Sequence, residues 1–196
     1  MASSGRPRLQ SAAARRQALI AAATRALAAD PEASMESIAR AAGCARASAY
    51  ELFETKEQLL GAVLEEEADQ FQRVVLAARA SSLGQPLDIA VRARVAAMLG
   101  FARARPDGYM LLSRLALDAT VGPAPPLDRV RQEVLDHLER TIGPLPARMI
   151  LGLLRAVALG LAEADPEQDE WTINVTATFI IGGLKELALR NRSNPT

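Results

Sequence analysis

Apolar residues in this chain recur every three or four positions and do not alternate in strand-like runs, so its hydrophobic faces fit helices. Leu59, Leu60, Val63, Leu64, Phe71 and Val75 keep that spacing, as do Val130, Val134, Leu138 and Ile142. Ala and Leu dominate while Val, Ile and aromatic residues are scarce, which favours helix by intrinsic propensity as well. With 49% hydrophobic residues the chain is too apolar to stay disordered. At 196 residues it can bury one full core, or join a small domain to a larger one. The expected fold is all-α.

Punctuation divides the pattern into about nine helices. The first is expected over about 11–29 and is stopped by Asp30-Pro31. A short helix capped by Ser34 ends at Ala42, with Gly43 in the left-handed position after it. A third covers about 45–52. Thr55-Lys56-Glu57-Gln58 has the form of a capping box and opens a long fourth helix to about 80. The rest are expected over about 87–104, 107–119, 127–142, 146–163 and 169–190, separated by Pro- and Gly-bearing breaks.

Formal net charge is zero, but its distribution is not even. Arg6, Arg8, Arg15, Arg16 and Arg25 all precede the first acid, Asp30, so the first 29 residues carry a side-chain charge of +5. A basic head on a neutral chain points to an anionic partner at one end only. The single cysteine, Cys44, excludes an intramolecular disulfide and fits a reducing cytoplasm. The polar, basic N-terminus lacks a signal peptide's apolar segment. The most apolar stretch, "MILGLLRAVALGLA" (149–162), is read as too short for a membrane span and carries Arg155 midway. A cytoplasmic protein with no membrane partner is expected.

A capped short helix, a Gly turn and a second short helix over 34–52 make the helix-turn-helix pattern, whose second helix enters the major groove of DNA. Ile38, Ala39, Ala42, Ala49, Leu52 and Phe53 are placed to hold the pair against the first helix. The segment "SMESIARAAGCARASAYELFETKEQLL" (34–60) resembles the N-terminal signature of TetR-family transcriptional regulators. In that family a short helix ends at Ala-Gly, a recognition helix carries a Tyr followed three residues later by Phe, and a Lys opens the fourth helix. With Ile20, Ala23 and Leu27 the resemblance covers about residues 12–62; the remainder matches in helix number and length only. It implies a flexible basic arm (1–10), a helix-turn-helix DNA-binding domain (11–55), and an effector-binding and dimerisation domain (56–196). The function it implies is a dimeric DNA-binding transcriptional regulator, a repressor released from a double-stranded operator by a small, largely apolar effector.

Chemistry and resemblance together assign the head residues. Tyr50 joins a flat apolar body to a hydroxyl that can donate to a phosphate, and Phe53 turns inward as a plug. Lys56 adds a cation at a helix N-terminus that already favours an anion. Ser34, Arg46, Ala47 and Ser48 complete the DNA-facing set. Ala45 stands where the family often has a capping Ser, and Ala47 where it usually has Gly. Glu51 is read as solvated. Arg6 and Arg8, flanking Pro7, suit a narrow minor groove, or a solvated tail.

The resemblance also implies a pocket in the C-terminal domain, with candidate wall residues Phe71, Met98, Phe101, Tyr109, Met110 and Met149 and polar candidates Ser113, Arg114 and Asp118. Ordinary core filling is the bland reading of the first group, and an Arg114–Asp118 surface pair of the last. His137 is assigned a solvated or packing role, and Trp171 an interface or core one. Gly152, Ala156 and Gly160 form a smooth stripe on one helix; Phe179, Gly183 and Leu187 repeat at the same interval on the last. Two such helices can pair with their copies in a second chain as a four-helix interface.

An enzyme is disfavoured. One His and one Cys give no triad pattern, no H-x-x-x-H metal motif and no Gly-rich phosphate loop, so no catalytic residue, metal or cofactor is expected. The alternative is a helical adaptor without a DNA role.

Overall fold

The computed structural model describes residues 11–117, 136–161 and 165–193. Among them are nine α-helices and no strand: α1 (Ala12–Ala29), α2 (Met35–Ala41), α3 (Arg46–Leu52), α4 (Lys56–Ser81), α5 (Leu87–Ala104), α6 (Pro106–Leu117), α7 (His137–Ile142), α8 (Pro144–Leu161) and α9 (Asp169–Ser193). A short 3₁₀ turn, Pro166–Gln168, precedes α9. Arg6, Arg8, Asp118 and the first half of the helix expected over 127–142 lie outside the described residues, as does the side chain of His137. The chain forms two compact units, one ending at Val63 and one beginning at Leu64.

In the first unit the helix ends follow from local chemistry. Ser11 caps α1 by accepting from the Ala14 N–H at 3.1 Å. Asp30 closes it, its N–H bonded to the Ala26 carbonyl, and its Oδ1 accepts from the Glu32 N–H across Pro31. After α2, Gly43 at φ +69° lets the Gly43 N–H reach the Arg40 carbonyl and the Cys44 N–H reach that of Ala39. This double closure is the Schellman motif, and the left-handed turn it requires favours glycine. Leu19, Ile20, Ala23, Leu27, Met35, Ile38, Ala39, Ala49, Phe53, Leu59 and Val63 are buried as one core.

In the second unit α5 is central, packing on α6, α8 and α9. Phe71, Phe101 and Tyr109 meet edge to face, with centroids 5.2 to 6.5 Å apart. Burial pushes the Tyr109 phenol up, opposed by a hydrogen bond with Ser113 and the charge of Arg155. Beside them the buried Glu67 carboxylate accepts two hydrogen bonds from Arg105, at 2.8 and 2.6 Å. Gly108 lets that carboxylate approach the first turn of α6, since a Cβ there would fall inside van der Waals contact of it.

Arg103 ties three helices. It grips both oxygens of Asp169 at the start of α9 and donates to the Leu161 carbonyl that ends α8, at 2.6 Å. The Arg103 hydrogen bond holds the Asp169 carboxyl below its usual range. A lowered carboxylate pKa contributes stability that is complete above the unfolded value and lost as pH falls through the folded one. The melting temperature of wild type should therefore exceed that of Asp169→Asn at neutral pH, the gap closing below about pH 4. A gap independent of pH would contradict this.

The apolar helix α8 begins at Pro144, earlier than the 149–162 stretch suggested. This corrects the expectation that it is too short: α8, and the stretch Pro166–Leu189, are long and apolar enough to cross a membrane by length and composition. Proline is readily accommodated in a helix's first turn, so Pro144 and Pro146 extend the apolar run instead of delaying its start.

Candidate nucleic-acid interface and ligand cavity

On α3, Arg46, Ala47, Tyr50 and Glu51 face solvent while Ala49 is buried, so one side of this two-turn helix is held and the other offered. Ala45 occupies the N-cap with no side-chain hydrogen bond, in keeping with its departure from the family's Ser. Arg46 lies over the Tyr50 ring, 5.5 Å from its centroid, and its Nη1 is 3.7 Å from Glu36 on α2. That ion pair is solvent-exposed and worth little, so the guanidinium can exchange Glu36 for a phosphate at small cost. Ser48 is half-buried, and Ser34 caps α2 by accepting from the Ser37 N–H at 3.2 Å.

Phe53 is buried and carries the Arg16 guanidinium 5.0 Å from its ring centroid. Thr55 Oγ1 accepts from the Gln58 N–H, while Gln58 Oε1 accepts from the Glu54 N–H at 2.9 Å, a capping box reaching one residue further back than its usual form. Lys56 Nζ donates to the Pro31 carbonyl at 2.9 Å. No sequence signal announced that bond, because its partner is a main-chain oxygen 25 residues away. It fixes the ammonium beside the α1–α2 turn and leaves two of its three N–H donors for other acceptors.

Within the second unit α4, α5, α7, α8 and α9 enclose an open cavity of about 560 Å³. Val91, Val95, Met98, Leu154 and Ile180 form a buried apolar floor. Arg79, Arg94 and Arg140 stand exposed at its rim, with Gln72 and Thr141. Of the eight described residues expected to bind a ligand, Asp118 lying outside them, Met98 lines this cavity. Phe71, Phe101, Tyr109 and Ser113 come together in the aromatic cluster; Met110 is half-buried, Arg114 exposed, and Met149 65% exposed. The rim arginines were passed over, although their spacing marked them. Gln72, Val75, Leu76 and Arg79 share one face of α4, and Leu87, Val91, Arg94, Val95 and Met98 share one of α5.

The α8 face bearing Gly152, Ala156 and Gly160 is exposed, along with Leu145, Met149 and Leu153. On α9 Phe179 (72%) and Trp171 (65%) are exposed with Gly182 and Gly183, while Leu187 is half-buried. A Cβ at Gly152, Gly160, Gly182 or Gly183 would meet nothing within 4 Å. Packing among the described residues therefore gives no reason for four helical glycines, each costing about 1 kcal/mol relative to alanine.

A three-helix head with a Schellman turn between α2 and an exposed α3 defines a helix-turn-helix DNA-binding protein. Residues 19–63 match the family model of bacterial regulatory proteins, tetR family. The fold is shared with a TetR-like transcriptional regulator from Rhodococcus sp. RHA1, with TM-score 0.75 and 22% identity over 92% of this chain and 99% of that one. LfrR from Mycobacterium smegmatis, solved in complex with proflavine, is similar at TM-score 0.64 and 20% identity, covering 86% of this chain and 96% of its own. The fatty acid degradation regulator FadR from Bacillus halodurans gives 0.66 and 20%, over 87% and 96%. No curated protein matches the chain. Residues 19–63 thus resemble the tetR-family head, on a fold that TetR-like transcriptional regulators share.

Proposed function

We propose that the protein acts as a homodimeric repressor, reading its operator through α3 and released from it by a small molecule. The observation that carries the DNA reading is the offered face of α3, where Arg46, Ala47 and Tyr50 lie together on a helix fixed from behind by Ala49 and Phe53. Lys56, anchored on Pro31, supplies a phosphate contact next to it. Arg6 and Arg8 precede this head in sequence and add to its positive charge.

Two chains pair through α8 and α9. Exposed Phe179, Trp171 and Met149 and the otherwise unexplained glycines support close helix approach by a second copy. The same pairing covers the apolar surface that gives these helices their membrane-like composition. The cavity of the second unit supports a small-molecule ligand, as does the proflavine held by LfrR. Ligand and DNA then weaken each other by the same factor.

Selection from random-sequence duplexes tests this reading. A dimer of helix-turn-helix heads should enrich an inverted repeat, its two halves related by the protein's two-fold axis. Absence of any enriched sequence would hand the chain to the adaptor alternative.

A further inference from the structure

We propose that the cavity of the second unit takes an amphiphilic anion, an aliphatic chain ending in a carboxylate or phosphate. This assignment rests on the ligand-responsive reading above and specifies its ligand. The floor is formed by buried apolar side chains, against which a hydrocarbon chain would lose water contact. The rim is cationic: Arg79, Arg94 and Arg140 line it, and among the described residues no Asp or Glu does.

Those cations are available. Among the described residues the Arg79 and Arg94 guanidiniums have no hydrogen-bond or ion-pair partner. Arg140 uses Nε on the Asp136 carbonyl at 3.0 Å, leaving its two terminal nitrogens. Four other arginines of the unit, Arg92, Arg103, Arg105 and Arg148, each pair with a carboxylate. Arg94 also interrupts an apolar stripe, standing between Val91, Val95 and Met98 on the face of α5 that the cavity uses. A guanidinium fork at that position matches a carboxylate or phosphate in geometry as well as charge. A hydrophobic cation would meet three like charges there and no counter-charge among the described lining residues.

The test is calorimetric titration of the full chain with dodecanoate, dodecyl phosphate, dodecanol and dodecyltrimethylammonium, all below their micellar concentrations. Both anions should bind at one site per chain, and the alcohol and the cation at least about tenfold more weakly. Arg94→Gln should weaken the anions about tenfold without changing dodecanol. Arg79→Gln provides a second rim variant expected to act in the same direction. Arg92→Gln, on the same helix but outside the cavity, should change nothing. The head group that binds tighter identifies the class, free acid or phosphate ester.

Equal binding of the cation, or anion affinity indifferent to both rim substitutions, would overturn the assignment. DNA binding by the same ligand-free variants reads the regulator function separately. Anion binding that leaves DNA affinity unchanged would uphold this assignment and count against effector release.

Discussion

Phe179→Glu should leave the protein folded but monomeric at micromolar concentration, with operator affinity lowered by about 10²- to 10⁴-fold. The substitution sets a charge on the exposed centre of α9, where among the described residues the ring is left 72% exposed. Each head alone binds a half-site; joining two heads makes the second contact intramolecular, and the quoted factor is the usual gain from such linkage. Sedimentation velocity checks the mass, and fluorescence anisotropy on a full site checks the affinity. A variant that stays dimeric would move the interface away from α9 and leave Gly182 and Gly183 without an explanation.

Arg105→Met should lower stability by about 3 kcal/mol, toward the lower end for breaking a buried pair because Arg105 itself is 39% exposed. The Glu67 side chain, 3% exposed, would lose its cationic partner and both hydrogen bonds. For a chain of this size the melting temperature should fall by about 10 °C. The double variant Glu67→Gln, Arg105→Met removes the stranded charge and should recover much of that loss. An Arg105→Met protein that melts with wild type would show that the pair carries no such cost.

What could be read from the sequence was what depends on local spacing. Ser34, Gly43 and the Thr55–Gln58 box are signals within four residues of what they control, and each forms its expected turn or cap. Tyr50 exposed and Phe53 buried follow from a three-residue offset on one short helix. Contacts between distant segments were not legible. The Lys56–Pro31 bond involves a carbonyl, which every residue has, and the Glu67–Arg105 pair joins charges 38 residues apart. The cavity was anticipated by resemblance, but its arginine rim was not, because aromatic and Met residues drew attention to the neighbouring cluster. Long arginine stems lying along apolar faces are easily mistaken for surface decoration.

The account rests most directly on α3 and the start of α4 meeting DNA phosphates. The decisive measurement is the salt dependence of binding to the selected operator, for wild type and Lys56→Ala, with melting temperatures recorded because Lys56 also holds Pro31. A dimer neutralising about six to ten phosphates predicts a slope of log K against log salt near −5 to −9. Lys56→Ala should flatten it by about two units, one for each chain. A wild-type slope near zero, or a folded variant whose slope matches wild type, would contradict the phosphate contact and with it the reading of this head.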